Sequence, residues 1–358
     1  MLTRRTMLAS AALSLILSTT AFAQDKLNVV ASFSILGDMV QNVGGDRIAL
    51  TTLVGPDGDG HVYQPTPADA EAVAKAGLLV INGLEFEGWT PRLIEAAGYQ
   101  GPVVIAAEGI TPLKNAEDDH DDHADHDDHD HGDHDDHAGH DHAGHDHDDH
   151  DHADHDDHDH DEHAKDDHDH DDHAADDGHH HHGAYDPHAW QSVANARVYV
   201  ANIARGLTEA DPAGAETYAA NAKAYTDKLD ALDSQLHAAV DALPQDSRTI
   251  VTSHDAFGYF ARDYGLKFVA PQGVSTEASA SARDVGALIT QIRDQQIKAV
   301  FVENISDSRL LQQIASETGA RIGGTLFSDA LSPADGPAAT YIDMMRHNMS
   351  EISKALAK

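Results

Sequence analysis

The feature that most constrains the fold of this 358-residue chain is a tract of aspartate and histidine between Asp118 and His182. The tract holds 24 of the 29 histidines and 29 of the 62 acidic residues against one lysine, which gives it a formal charge of −28 out of −39. Because it contains no apolar residue larger than alanine, it cannot bury a core that offsets the entropy of ordering the chain. The sequence therefore predicts a disordered insert at residues 118–182, and the fold must come from the residues on either side.

The start of the chain has the pattern of an export signal. Arg4 and Arg5 precede an apolar stretch from Met7 to Leu17, and Ala21-Phe22-Ala23 has the small residues that a signal peptidase requires before its cut. This pattern predicts a signal peptide over residues 1–23, cleaved after Ala23, and a periplasmic protein. Both general secretion and the twin-arginine route are compatible with the two arginines.

Two properties of the composition limit the classes of partner and ligand. The chain has no cysteine, so disulfides, thiolate metal ligands and a lipidated N-terminal cysteine are excluded, and we expect no lipid anchor. The strong acidity disfavours nucleic acid, whose phosphates would be repelled.

The sequence outside the signal peptide and the insert, about 270 residues, is long enough for two domains. Apolar strand patterns alternate with helical ones, which indicates α/β architecture with mostly parallel sheets. One helical pattern, at residues 212–243, is long enough to join two lobes. We predict an N-terminal lobe at 24–211 and a C-terminal lobe at 244–358. The predicted strands are 26–33, 48–54, 78–81 and 103–106 in the first lobe and 249–252, 267–270, 299–302 and 321–325 in the second.

Five histidines remain outside the insert, and two of them lie within predicted helices. His237 belongs to the long helix and His347 to the last helix. A single histidine on a helix is weak evidence for a ligand, so we assign both to packing or surface positions.

The other three histidines and one aspartate have a common placement. His61 follows the second strand through a glycine-rich turn, His254 follows the strand that ends at Thr252, and Asp329 lies beyond the strand that ends at Thr325. His188 heads a helix directly after the insert. Ligands of open parallel sheets bind at the carboxyl ends of the strands, so these four side chains can face one cleft.

The chemistry of these four side chains favours zinc. Three imidazoles and one carboxylate form the donor set of a closed, four-coordinate zinc site. A manganese site would be richer in oxygen donors. Taken singly, each of the four is more readily a surface loop residue, and only their shared placement at strand ends favours a metal site.

Five segments resemble, in order, the signatures of a known family. They are GPDGDGHVYQPTP, DPHAW, TSHDAFGYFARDYGL, FVENISDSRLL and TLFSDALSP. The chain is similar over nearly all of Lys26 to Lys358 to the zinc-specific solute-binding proteins of bacterial ABC importers, the cluster A-I group. It most resembles the subgroup whose zinc ligands are three histidines and an aspartate, and which receives zinc from a periplasmic metallochaperone.

The resemblance implies a fold, a ligand set and partners. Each lobe would be a small sheet sandwiched by helices, and the long helix would be rigid and limit hinge motion. His61 and His188 match the ligands of the N-terminal lobe, and His254 and Asp329 match those of the C-terminal lobe. Manganese-transporting relatives carry a glutamate where this chain has His254, so the likeness also favours zinc. The implied partners are an ABC permease and a possible metallochaperone, and the implied state is a monomer.

We therefore expect a periplasmic zinc receptor, not an enzyme, that delivers Zn²⁺ to a permease, with the insert as a low-affinity zinc store. The alternatives are a manganese receptor of the same family, a surface adhesin and a zinc-dependent hydrolase. Asp255 or Glu303 would be the general base of the hydrolase, but each fits a partner that orients a histidine ligand equally well, and the sequence contains no HExxH motif. The alternative for the insert is an acidic spacer without a metal role.

Overall fold

The computed structural model describes residues 25–115, 183–245 and 248–357. The predicted signal peptide and insert lie outside these ranges. The described residues form two lobes, each built on a four-stranded parallel sheet, as the sequence predicts.

The N-terminal sheet has the strand order β2-β1-β3-β4. Strand β1 is buried from Val29 to Phe33 and mostly apolar there, as expected of a strand covered on both faces. Helix α1 follows it directly and ends at Gly44, where Gly45 adopts a φ of 57°. The elements are β1 Leu27–Phe33, α1 Ser34–Gly44, β2 Ile48–Val54, α2 Pro67–Ala74, β3 Leu78–Ile81, α3 Thr90–Ala97, β4 Val103–Ile105 and α4 Val193–Ala210.

The C-terminal sheet repeats this topology, with the order β6-β5-β7-β8. Its first two strands are short, at three residues each. The elements are β5 Thr249–Val251, α6 Gly258–Tyr264, β6 Lys267–Val269, α7 Ala282–Asp294, β7 Ala299–Glu303, α8 Arg309–Thr318, β8 Arg321–Leu326 and α9 Tyr341–Leu356.

Helix α5, Ala215–Asp241, joins the lobes. It packs against α1 and α4 of the N-terminal lobe and against α6 and α9 of the C-terminal lobe. Tyr225 of α5 donates to Asp38 of α1 over 3.2 Å, and Asp233 of α5 accepts from Tyr264 of α6 over 2.8 Å. Buried apolar side chains form one continuous cluster from β1 through α5 to α9, so both lobes share a core with the helix that joins them.

Two local predictions need correction. The predicted helix at residues 212–243 is divided: Pro212–Gly214 form a 3-10 turn, and the α-helix runs from Ala215 to Asp241. His188 does not head an α-helix, because a 3-10 turn at Ala189–Gln191 comes first and α4 begins at Val193, where Ser192 accepts from the Asn195 N–H.

Among the described residues, no helix combines the length and apolarity that a membrane span requires.

Candidate metal centre

The structure brings the four predicted ligands together. His61 lies in the loop after β2, His188 before the 3-10 turn, His254 after β5 and Asp329 after β8. Each offers one ligand atom within 4.8 Å of the other three. All four side chains are buried, and His61 is the most exposed at 6%.

Four of the distances between these groups are close to the edge of a coordination tetrahedron. His61 Nε2 lies 3.2 Å from His188 Nε2 and 3.4 Å from Asp329 Oδ2. His254 Nε2 lies 3.2 Å from Asp329 Oδ2, and His188 Nε2 lies 3.5 Å from Asp329 Oδ1. Zinc bonds of about 2.0–2.1 Å give a regular tetrahedron edges of about 3.3 Å. Both Asp329 oxygens are buried and lie beside the imidazole nitrogens, so the carboxylate is turned toward the centre of the group.

Both ligands of the N-terminal lobe are oriented by an aspartate two residues earlier in the chain. Asp59 Oδ1 accepts from the His61 N–H over 2.9 Å. Asp186 Oδ1 accepts from the His188 N–H over 2.9 Å and lies 2.8 Å from His188 Nδ1. A hydrogen bond at Nδ1 leaves Nε2 free to bind the metal.

The C-terminal lobe orients His254 from a neighbouring strand. Glu303, the last residue of β7, places Oε2 2.7 Å from His254 Nδ1. Its Oε1 accepts from the N–H groups of Ser253 and His254 over 2.7 and 3.0 Å. One buried carboxylate therefore holds both the imidazole and the backbone of this ligand.

The N-terminal lobe holds the loop that carries Asp329. Trp190 Nε1 and Gln191 Nε2 both donate to the carbonyl of Ser328 over 2.8 Å. Ser34 Oγ accepts from the Leu331 N–H over 2.9 Å. The position of the fourth ligand thus depends on atoms of the other lobe.

Burial and the neighbouring charges act in opposite directions on the pKa values of His61, His254 and Asp329. Burial lowers the pKa of His61 despite the nearby Asp329 carboxylate. Burial also opposes protonation of His254, but Glu303 and Asp329 outweigh it and hold the pKa of His254 well above its usual value. Burial would raise the pKa of Asp329, yet His254 and His188 hold it well below its usual range. The two carboxylates therefore favour the protonated form of His254, and the imidazoles favour the charged form of Asp329.

The remaining sequence candidates lie elsewhere or have other roles. His237 is exposed beside Tyr264, and His347 lies 3.0 Å from the Thr325 carbonyl. Glu303, one candidate for a general base, contacts His254 as described above. Asp59 and Asp186 were not among the predicted residues, although both share the spacing Asp-x-His with a predicted ligand.

A family model and individual relatives match most of this chain. The model described as ZnuA, zinc-uptake complex component A, periplasmic, matches residues 29–355. The iron-binding protein YfeA of Yersinia pestis is 30% identical over 354 residues, which cover 97% of this chain and 94% of YfeA. The manganese-binding lipoprotein MntA of Halalkalibacterium halodurans is 29% identical, covering 93% of this chain and 89% of MntA.

A solved structure agrees with the fold. The periplasmic zinc-binding protein TroA of Treponema pallidum superposes with a TM-score of 0.73 at 26% identity, covering 93% of this chain and all of TroA. The names of these relatives include iron, manganese and zinc, so similarity alone does not identify the metal.

Proposed function

The chain belongs to the ZnuA family of periplasmic metal-binding proteins of ABC importers, and from this membership we propose that it is a high-affinity zinc receptor. Zn²⁺ is its cargo, held by His61, His188, His254 and Asp329 and delivered to a membrane permease. The chain contains no cysteine for a lipid anchor, so we propose a receptor that is free in the periplasm. We also propose that it is a monomer.

The observation that carries the choice of zinc is the donor set and its spacing. Three imidazole nitrogens and one carboxylate, separated by 3.2–3.5 Å where neighbouring pairs meet, suit a small tetrahedral ion. Zinc accepts this set readily, whereas Mn²⁺ favours more oxygen ligands and higher coordination.

Manganese is the second candidate, and one feature of the site favours it. Both oxygens of Asp329 face the histidines, so a bidentate carboxylate would give five donors. Relatives with manganese in their names, such as MntA, keep this alternative open.

An affinity measurement on the metal-free mature protein separates the two metals. Competition with a chelator should give Zn²⁺ a dissociation constant at least 100-fold below that of Mn²⁺ and Fe²⁺, as the general order of divalent affinities predicts for a nitrogen-rich site. Equal or tighter binding of Mn²⁺ would overturn the proposal. Uptake of each metal by cells lacking the gene would then separate a receptor from an adhesin, since only loss of a receptor impairs uptake.

A zinc hydrolase fits this centre poorly. A catalytic zinc keeps a position open for water beside a general base. Here four side chains converge, and Glu303 already contacts His254 and two backbone N–H groups. Members of the family are substrate-binding proteins, and we propose that this chain is one too.

We further propose that the His/Asp insert serves as a low-affinity zinc store. Its imidazoles and carboxylates can surround an ion in many ways, and it would raise the local zinc concentration near the tight site. A metallochaperone is a possible source of its zinc. Nucleic acid is not proposed as a partner, because its phosphates would be repelled by the strong negative charge of the chain.

A further inference from the structure

The two ends of the insert are joined by backbone hydrogen bonds before the insert begins. We call residues 113–115 and 184–186 the neck. The Asp186 N–H donates to the Leu113 carbonyl over 2.9 Å, and the Asn115 N–H donates to the Ala184 carbonyl over 3.1 Å. An antiparallel bridge pairs Lys114 with Tyr185. The neck therefore ends in Asp186, the residue whose carboxylate orients His188.

Helix α6 of the other lobe holds this neck with one hydroxyl. Tyr259 is fully buried, and its Oη accepts from the Leu113 N–H over 3.0 Å and donates to the Asp186 carbonyl over 2.9 Å. Both strands of the neck thus contact a single atom of the C-terminal lobe.

The residue before Tyr259 contacts the carboxylate of Asp186 itself. A Cβ atom at Gly258 would lie 2.6 Å from Asp186 Oδ2, a distance that real Cβ atoms do not tolerate. The absence of a side chain at Gly258 lets the Asp186 carboxylate lie directly against α6. Gly258 and Tyr259 therefore constrain the carboxylate and the backbone of the same residue.

We propose that Gly258 and Tyr259 are positioning residues for the metal ligand His188, acting through Asp186. This inference rests on the proposed function and extends it: the orientation of an N-terminal ligand depends on contact with the C-terminal lobe. When the lobes are in contact, α6 holds Asp186, and Asp186 holds the His188 imidazole with Nε2 toward the metal. Loss of that contact releases the orientation of His188 and favours release of the metal.

The test compares two tyrosines of the same helix. Tyr259→Phe removes the hydroxyl that holds the neck. Tyr264→Phe is the matched control, because its hydroxyl donates to Asp233 of α5 over 2.8 Å and does not contact the neck. With Zn²⁺ and a competing chelator, we expect Tyr259→Phe to weaken zinc binding about tenfold. This is the lower end of the range of losses expected when a residue that orients a metal ligand is substituted. Tyr264→Phe should leave the affinity unchanged.

Two further measurements separate positioning from general destabilisation. The visible absorption of bound Co²⁺ reports ligand geometry, and we expect it to change in Tyr259→Phe and in Gly258→Ala but not in Tyr264→Phe. In an Asp186→Ala background, Tyr259→Phe should have no additional effect on zinc affinity, because the group through which it acts is absent.

The outcomes distinguish this inference from the proposed function. A wild-type protein that lacks a tight zinc site overturns the proposed function. A tight wild-type site with equal affinities and equal Co²⁺ spectra in Tyr259→Phe and Tyr264→Phe overturns only the positioning role. If Tyr259→Phe does not fold, Gly258→Ala tests the same contact from the carboxylate side, and an unchanged affinity and spectrum there overturn the positioning role.

Discussion

The two lobes have the same sheet topology but hold their ligands in different ways. In the N-terminal lobe, His61 and His188 lie in loops, and each backbone N–H is bound by an aspartate two residues earlier. In the C-terminal lobe, His254 is held by Glu303 from the neighbouring strand β7. The carboxylate that contacts the ligand directly is therefore close in sequence in the N-terminal lobe, whereas in the C-terminal lobe it comes from a neighbouring strand.

The N-terminal lobe also has a buried glutamate near the end of its third strand, but that residue has another role. Glu87 accepts from the Asn82 N–H over 2.7 Å and from the Ser32 hydroxyl, and burial raises its pKa to about 7. Glu87 supports the loop backbone, whereas Glu303 also contacts a ligand. The two lobes therefore share a topology, but of these two buried glutamates Glu303 is the one that contacts a candidate metal ligand.

Substitution of a ligand should have the largest effect on zinc affinity. Substitution of the C-terminal ligand His254 should also destabilise the metal-free protein more than substitution of the N-terminal ligand His61. His61→Ala and His254→Ala should each weaken zinc binding more than about 100-fold, beyond the loss expected for an outer-shell partner. Only His254→Ala leaves Glu303 and Asp329 buried without a cation in the metal-free protein, which should lower the free energy of unfolding by about 3 kcal/mol. Chelator competition and denaturant unfolding measure the two effects, and His237→Ala serves as the control. Equal destabilisation by both substitutions would contradict the difference between the lobes.

Substitution of the orienting carboxylates should have the next largest effect. Glu303→Gln should weaken zinc binding about 10–100-fold, because it removes the charge beside His254. Asp59→Asn should weaken it less than about fivefold, since an amide oxygen can still accept a backbone hydrogen bond worth about 1 kcal/mol. Calorimetric titration of both variants ranks them, and the reverse order would show that the local aspartate matters more than the strand glutamate.

The dependence of zinc affinity on pH should come mainly from the C-terminal lobe. Because the pKa of His254 is well above its usual value, zinc must displace a proton from it, and affinity should fall about tenfold per unit as the pH falls. Burial lowers the pKa of His61, so His61 is already neutral and releases no proton. Titration in buffers of different ionisation enthalpy should find that zinc binding by the wild type releases protons, and that Glu303→Gln releases fewer. Release of no proton by the wild type would contradict this assignment.

The same raised pKa predicts how the stability of the metal-free protein changes with pH. Protonated His254 contributes its full stabilisation below about pH 6.5, the pKa of an unfolded histidine. That contribution is lost as the pH rises through the higher pKa of His254 in the folded state. The increase in melting temperature on adding zinc should therefore grow with pH, which scanning calorimetry can measure.

Removal of the insert should have the smallest effect on the tight site. The neck is closed by its own hydrogen bonds, so an Asn-Gly turn in place of residues 116–183 should keep the tight affinity within about twofold. The weaker zinc equivalents should disappear. A chain whose insert histidines are all replaced by serine keeps the length and the carboxylates and serves as the control. Loss of tight binding in the deletion variant would show that the insert is part of the site.

The elements that the sequence predicted well are those whose pattern is local. The alternation of strands and helices follows from the apolar periodicity, and the parallel sheets follow from that alternation. The start of α2 is local in the same way, since Thr66 and Asp69 form a capping box three residues apart. The first residues of two helices were predicted less accurately. Helix α5 begins at Ala215 and not at residue 212, and α4 begins at Val193 and not at His188. There a short 3-10 turn satisfies the backbone before the α-helix starts, and apolar spacing does not distinguish the two.

The sequence by itself identified the four candidate ligands. Three of them, His61, His254 and Asp329, follow strands whose ends can be predicted from local pattern, and parallel strands end at one edge of a sheet. Only the tertiary structure decided their spacing and orientation. The approach of Glu303 to His254, and the contacts of Trp190 and Gln191 with Ser328, join residues that are far apart in the chain. Such contacts depend on how two sheets and a shared helix pack together. Periodicity within one segment carries no information about that packing.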